Sequence, residues 1–255
     1  MIRVLTLAGA AILLLAHGTQ AQTGATGSTP ADMLSVQSFF RTPVLNQVRL
    51  SPSGRWLAAL VTKPGERTKL LGMDVDSQVP AQIVAAYTKY DVSDPAWVND
   101  DLLVFAVDDD TDRSREANWK GRGLVSVQRN GDGQRVLIKR EWETEFPATG
   151  VAPLEANHRF AAMGAPGTDE VIVAERQYDA KGELRNMRLL ALNARTGVRR
   201  SLLDDAPPNI TSWWFDHKGE ARMAASEQDG QSIIFWRETP PASWKELVRD
   251  RVLNL

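Results

Sequence analysis

The sequence offers few side chains whose type and spacing could support catalysis. It contains three histidines, which lie far apart at positions 17, 158 and 217. A metal site built from histidines needs a pair spaced to meet on one helix or hairpin, and this sequence has no such pair. We therefore interpret His158, at the start of a strand, and His217, in a turn, as surface residues. Neither is predicted to bind a metal.

The densest acidic segment covers residues 108–112 and reads Asp-Asp-Asp-Thr-Asp. Calcium prefers clusters of oxygen ligands, but this segment lacks the alternating ligand spacing and the glycine of an EF-hand loop. Basic residues follow closely and can offset its charge: Arg113, Arg115, Lys120 and Arg122. We interpret the segment as a solvated loop, and a calcium site is the alternative.

The motifs that mark common catalytic and nucleotide-binding sites do not occur in the sequence. There is no Gly-x-Ser-x-Gly segment, which would place a serine nucleophile at a strand-to-helix turn. No glycine-rich loop that could hold a phosphate follows a strand. The chain has no cysteine, which excludes disulfides, thiolate catalysis and zinc–thiolate sites. The sequence therefore predicts no catalytic, cofactor-binding or metal-binding residue, and no cofactor.

A group of aromatic residues gives two alternatives. Trp213, Trp214 and Phe215 are consecutive, and Trp236 and Trp244 follow them. These rings could stack on a ligand, or they could fill the space between neighbouring sheets. Large aromatic side chains in blade strands usually do the second, so we predict core packing.

The elements that would carry these residues follow a repeated pattern of a polar turn and a short apolar strand. The pattern occurs at residues 50–62, 95–107, 168–175 and 214–225. No long amphipathic helix and no alternation of strands with helices is visible. We predict an all-β fold, namely a partial β-propeller of about four blades. Residues 102–107 are predicted to be the inner strand of the second blade, which begins near Trp97.

The amino terminus is typical of an export signal. Arg3 precedes an apolar run at residues 4–15, and small residues precede a polar break after Ala21. A membrane anchor is the alternative, but the run is shorter than the roughly 20 apolar residues that span a bilayer. We predict a signal peptide at residues 1–21, and a periplasmic or secreted protein with no stable membrane insertion after cleavage.

The rest of the chain divides into two predicted regions. Residues 22–40 form a flexible spacer and entry segment, with a short helical turn at 32–40, and residues 41–255 form the incomplete propeller. The formal net charge of −2 gives no electrostatic reason to expect nucleic acid as a partner. The hydrophobic fraction of 43% is sufficient for a packed core.

Several segments, in this order, resemble one family. The entry segment at residues 38–60 is similar to the opening of secreted prolyl oligopeptidase-type serine peptidases, the S9 group that includes dipeptidyl aminopeptidases and acylaminoacyl-peptidases. Later segments resemble successive blades of the same proteins: residues 169–175, 189–197, 215–220 and 243–247. The resemblance implies an amino-terminal propeller that restricts access to peptide-sized substrates, and a carboxy-terminal α/β-hydrolase domain that carries a Ser-Asp-His triad.

The chain departs from that family in one respect. The hydrolase domain and its nucleophile are absent from this sequence, so no catalytic residue can be transferred to it. We expect a propeller fragment, without activity of its own, that corresponds to the substrate-gating domain. The alternative is a standalone periplasmic propeller that binds proteins or peptides. The expected partners are peptides, a separately encoded hydrolase domain, or further copies of this chain.

Overall fold

The computed structural model describes residues 44–77, 79–108, 122–140 and 150–251. Within these ranges the chain forms sixteen β-strands and no helix, so the all-β prediction is confirmed. No helix able to cross a membrane occurs in the described part of the chain. The predicted signal peptide, the spacer with its helical turn, and most of the acidic segment 108–112 lie outside the described residues.

The strands form four antiparallel sheets, each of four strands that pair in chain order. Sheet 1 contains β1 (Leu45–Leu50), β2 (Trp56–Val61), β3 (Lys69–Asp74) and β4 (Gln82–Ala85). Sheet 2 contains β5 (Asp91–Trp97), β6 (Leu102–Asp108), β7 (Leu124–Gln128) and β8 (Arg135–Ile138). Sheet 3 contains β9 (His158–Met163), β10 (Glu170–Tyr178), β11 (Leu184–Asn193) and β12 (Arg199–Leu202). Sheet 4 contains β13 (Ile210–Phe215), β14 (Ala221–Gln228), β15 (Gln231–Trp236) and β16 (Lys245–Arg251).

Four consecutive four-stranded meanders are the blades of a partial propeller, as the sequence pattern predicted. The sheets pack against one another through apolar faces. The sequence of strand β10 begins with a continuous apolar run because both faces of the strand are covered. Val171 and Val173 face the core between sheets 2 and 3, whereas Ile172 and Ala174 face the core between sheets 3 and 4. A strand that is covered on both faces has no polar side, so its sequence does not alternate.

The prediction of the inner strand of the second blade was wrong. Residues 102–107 belong to β6, the second strand, and β5 precedes it as the first strand. β5 contains Pro95, and its pairing with β6 shifts register between Ser93 and Ala96, where Asp94 has a φ of 48°. Edge strands tolerate proline and bulges, because one side of the strand makes no ladder hydrogen bonds. A strand with a proline and a bulge lacks the regular pattern by which strands are predicted from sequence, so β5 was missed.

The segment Asn130-Gly-Asp-Gly133 closes the hairpin between β7 and β8, and its Asn-Gly and Asp-Gly pairs are typical of tight hairpin turns. The N–H of Gly131 donates to the carbonyl oxygen of Gln128, and the N–H of Gln128 donates to that of Asp132. The side-chain oxygen of Asn130 accepts the N–H of Asp132 at 3.0 Å. The polar groups that form these bonds therefore find their partners within residues 128–132.

Candidate functional site

The interpretation of His158 as a surface residue was wrong, because His158 has a buried, structural position in sheet 3. Its side chain is buried, and its Nδ1 donates to the carbonyl oxygen of Glu155 at 3.0 Å. Burial lowers the pKa of His158 and keeps the ring neutral at pH 7. His217 lies in the turn after β13, where Asp216 accepts the backbone N–H groups of Lys218 and Glu220. Among the described residues no group of three His, Asp or Glu side chains is arranged to hold a metal ion.

The aromatic group divides into packed and exposed members. Trp213 donates its Nε1–H to the carbonyl oxygen of Met187 at 3.0 Å, and its ring meets Trp244 edge to face at 5.7 Å between centroids. Both rings belong to the contact between sheets 3 and 4, so the prediction of core packing is confirmed for them. It was wrong for Trp214, which is 48% exposed. Neighbouring side chains on β13 point to opposite faces, so Trp214 cannot share the position of Trp213.

A small cavity of about 270 Å³ lies between sheets 2 and 3. Its wall includes His158 and the ion pair in which Arg122 Nη1 lies 2.7 Å from an Asp94 carboxylate oxygen. Most of its other lining residues are apolar, and Val104 and Ile138 are examples. The exposed Arg122 and Asp94 side chains in its wall pair with each other, and Arg159, which also lines it, donates to backbone carbonyl oxygens.

A larger groove of about 430 Å³ lies between sheets 3 and 4, beside the first strand of each sheet. We call it the arginine–aromatic groove. Its polar and aromatic lining consists of Arg159, Arg176, Ser212, Phe160, Trp213, Trp214 and Phe215. The remaining lining side chains are alanine, leucine and methionine, and none of the lining residues is acidic. Phe160 is 39% exposed, but it pairs with Val173 and so lies on the sheet 2 side of sheet 3, and Trp214 faces away from Trp213, so neither exposed ring points into the space between sheets 3 and 4.

The two arginines of the groove are held in different ways. Arg159 Nη1 donates to the carbonyl oxygens of Ala156 and His158 at 2.7 and 2.8 Å, which fixes its guanidinium against the backbone. Arg176 places its guanidinium carbon 5.2 Å from the ring centroid of Tyr178. Within the described part of the chain no carboxylate lies within salt-bridge distance of Arg176. By contrast, Arg188 on the neighbouring strand pairs with Glu175 at 3.1 Å.

Comparisons with known proteins agree with the propeller architecture. No family model and no curated protein sequence matches the chain. Among solved structures, the chain is similar to the acylaminoacyl peptidase of Pyrococcus horikoshii, at 13% identity and a TM-score of 0.42, over 82% of this chain and 39% of that one. It is also similar to a puromycin-hydrolyzing peptidase of Mycobacterium tuberculosis, at 14% identity and a TM-score of 0.41, over 81% of this chain and 29% of that one.

A third similar structure is the β-propeller domain of the Trilobed protease from Pyrococcus furiosus. The match has 10% identity and a TM-score of 0.29, and it covers 82% of this chain and 71% of that domain. These solved structures include peptidases of the group that the sequence motifs resemble. The chain spans less than a third of the puromycin-hydrolyzing peptidase and about two fifths of the acylaminoacyl peptidase. At such low sequence identity the similarity concerns the fold and carries no information on activity.

The sequence identified part of the arginine–aromatic groove. It singled out residues 213–215 as a ligand-stacking alternative, and all three residues line the groove. It gave no signal for Arg159, Phe160 or Arg176, because these residues come from β9 and β10 and meet β13 only in the folded sheets. No local spacing encodes a contact between strands that are far apart in sequence.

Proposed function

We propose that this chain is an exported propeller of the prolyl oligopeptidase type, that it selects peptide-sized ligands, and that it has no catalytic residue of its own. The observation that carries the proposal is the set of four consecutive blades with an open groove beside the first strands of sheets 3 and 4. The first strand of a propeller blade lies next to the central channel, where a ligand would pass. The order of the sequence motifs supports the peptidase group.

The test compares peptides with an intact protein. The purified chain is incubated with acyl-peptide and dipeptide chromogenic substrates and with a fluorophosphonate probe, which labels activated serines. It is then titrated with short peptides and with the folded protein from which the peptides derive. We expect neither labelling by the probe nor hydrolysis of the substrates. We expect the chain to bind the short peptides but not the intact protein. Specific labelling would contradict the absence of a catalytic residue, and equal binding of the intact protein would contradict selection by size.

The second candidate function is a standalone scaffold that binds proteins through its blades. The observation that favours it is the apolar character of the outward face of sheet 1, where Leu45, Leu50 and Ile83 are exposed. Exposed apolar patches on soluble proteins often mark interaction sites. In that case, binding of a protein partner would depend on Ile83 and would not change when the arginine–aromatic groove is altered.

We also propose export to the periplasm or beyond. The support comes from residues 1–21, whose charge, apolar run and small residues fit a signal peptide. Expression of the full chain in a bacterium, followed by fractionation and amino-terminal sequencing, tests this proposal. We expect a periplasmic product that begins at Gln22. A product in the cytoplasm with an uncut amino terminus would show that the segment is not a signal peptide.

A further inference from the structure

We propose that a cavity around Arg237, between sheets 3 and 4, binds a small monocarboxylate with an apolar body, and that the Arg237 guanidinium holds the carboxylate. We call it the Arg237 cavity. Its volume is about 260 Å³, and it lies where the turns before β10 and β14 meet. Among the described residues Phe215 alone lines both this cavity and the arginine–aromatic groove. The inference concerns a second site and does not depend on the peptide-selecting function.

Arg237 is buried with few partners. It is the most deeply buried arginine of the described residues, with 3% of its surface exposed. Its Nε donates to the carbonyl oxygen of Ala221 at 3.0 Å, and its guanidinium carbon lies 4.6 Å from the ring centroid of Trp244. The carboxylate of Asp205 lies 3.8 Å from Nη1, which is beyond hydrogen-bond distance. Within the described part of the chain neither Nη atom makes a hydrogen bond, so both keep donors for a ligand.

Burial distinguishes Arg237 from exposed arginines that also lack an acidic partner. Arg199, for example, bonds to the carbonyl oxygen of Ala152, but its side chain is exposed and water solvates its charge. Burial is the largest cause that lowers the pKa of Arg237, and the nearby Asp205 and Glu220 oppose it. An anion in the cavity offsets this cost of burial. An exposed arginine gains little from an anion, because solvent screens the pair.

The charge of the wall also favours an anion. Its charged residues are Glu170, Arg200, Lys218, Glu220 and Arg237. Glu170 pairs with Arg200 at 2.9 Å, and Glu220 Oε2 lies 3.6 Å from Arg222 Nη1. Beyond the wall, Arg222 and Asp205 add one charge of each sign. The cavity therefore keeps one positive charge in excess, and its two acids already face other arginines.

The rest of the wall favours an apolar body on that anion. Ile172 pairs with Ala191, and Leu189 pairs with Leu202, so all four side chains lie on the sheet 4 side of sheet 3. Phe215 faces them from sheet 4. A ligand ring against these side chains gains because its apolar surface leaves water. A phosphate ion would place its further oxygens against the same side chains without hydrogen bonds, which is costly.

The size of the Arg237 cavity limits the ligand. Its volume of about 260 Å³ lies just below the range of about 300–1,000 Å³ for ligand sites. A water molecule takes about 30 Å³ in the liquid, so the cavity accommodates about nine non-hydrogen atoms. Benzoate is about this size. Its ring fits the apolar wall, and its carboxylate can accept two parallel hydrogen bonds from Nη1 and Nη2.

The experiment measures binding by calorimetry at pH 7, with the 255-residue chain after removal of any cleaved segment. The probes are benzoate, benzamide, acetate and inorganic phosphate. Benzamide has the shape of benzoate without its charge, and acetate has the charge without the ring. We expect benzoate to bind about tenfold more tightly, or more, than each of the other three, because hydrogen bonds between charged groups are the strong ones.

The variants separate the charge from the apolar wall. Arg237→Gln should abolish the preference for benzoate over benzamide. Arg249→Gln removes the same charge from sheet 4 at an exposed pair with Glu246, outside the cavity, and should keep the preference. Ala191→Leu keeps Arg237 but fills part of the cavity, so it should weaken the binding of both probes. Circular dichroism confirms folding of each variant. If Arg237→Gln does not fold, Arg237→Lys replaces it, and we expect a reduced preference because the planar fork is lost.

The outcomes distinguish this inference from the proposed function. If benzoate and benzamide bind equally, or if Arg237→Gln keeps the preference, the guanidinium does not hold the carboxylate and the inference is wrong. If acetate or phosphate binds as tightly as benzoate, the assignment to a carboxylate with an apolar body is wrong. If no probe binds, the inference is wrong and peptide selection stands. Failure of the peptides to bind, with benzoate bound as expected, would contradict the proposed function alone.

Discussion

Ser126 shows how one buried hydroxyl joins two blades. Its Oγ donates to the carbonyl oxygen of Ala194 at 2.6 Å, so a residue of β7 bonds to the turn after β11. Ser126→Ala should lower the free energy of unfolding by about 1–3 kcal/mol, because the buried carbonyl loses its partner. Urea denaturation measures this change. The control Ser201→Ala removes an exposed hydroxyl that bonds to Asp204, and should change stability by less than about 0.5 kcal/mol. Equal effects would show that burial is not the cause.

Gly219 is the residue at which sheet 4 approaches sheet 3 most tightly. It has a φ of +78°, and a Cβ built on it would lie 2.3 Å from the carbonyl oxygen of Met163. Gly219→Ala should therefore cost more than the roughly 1–2 kcal/mol of a left-handed backbone alone, because the two sheets must also move apart. Gly182→Ala is the matched control, since Gly182 has a φ of +79° with open space around it. The difference between the urea midpoints of the two variants measures the cost of the close approach to Met163. A difference of zero would mean that the sheets adjust freely.

At the scale of elements, charged turns connect sheets 2 and 3. Asp169, just before β10, accepts hydrogen bonds from Arg195 Nε at 3.0 Å and from the Asn99 amide at 2.7 Å, and Arg195 also reaches Asp101. The hydrogen bond from Arg195 is the largest cause that lowers the pKa of Asp169. Because the folded pKa of Asp169 lies below its unfolded pKa of about 4, the ionised carboxylate stabilises the fold at pH values above that unfolded pKa. This stability is lost as the pH falls through the lower folded pKa.

Asp169→Asn should therefore reduce stability at pH 7 by no more than about 1 kcal/mol, since the groups are partly exposed and solvent screens them. The difference from the unsubstituted chain should begin to shrink as the pH falls below about 4, where the unfolded carboxyl becomes protonated, and should vanish below the lower folded pKa, where the native carboxylate is protonated too. Denaturant melts at several pH values measure this dependence. Glu238→Gln, at an exposed position, is the control and should show no such difference. A constant difference between pH 7 and pH 2 would mean that packing, not charge, explains the effect.

The repeated sequence pattern predicted the second strands well and missed the first strand of sheet 2. The predicted pattern segments at residues 50–62, 95–107 and 168–175 contain β2, all but the last residue of β6, and the first six residues of β10, because in each segment turn residues precede an apolar run. β5 was not recognised, since a first strand has a free edge on one side and can carry Pro95 and a bulge. This limit affected the prediction of the site more than the prediction of the fold. Arg159 and Trp213 lie on first strands, and they line one groove only because sheets 3 and 4 meet in the folded chain.

At the scale of the whole molecule, the outward faces of the first and fourth sheets are apolar. On sheet 1, register places Leu71 and Ile83 on one face with Ala59, opposite the residues that pack against sheet 2. On sheet 4, Ile234 and Val248 pair on one face in the same way. Ile83 is 58% exposed and Val248 is 44% exposed. A second copy of the chain could cover both surfaces, so we propose that the chain associates with itself, face of sheet 1 against face of sheet 4.

Such contact joins two different surfaces, so it can continue from copy to copy and produce a range of sizes instead of a closed dimer. Light scattering coupled to size-exclusion chromatography should show a mass that rises with concentration. Ile83→Lys and Val248→Lys should each shift the chain towards the monomer, because a charge in the contact must be desolvated. Val198→Lys places the same charge at an equally exposed apolar residue in the turn before β12, and should leave the mass unchanged. A constant monomer mass at all concentrations would contradict self-association, and an equal effect of Val198→Lys would show that net charge, not these two faces, controls it.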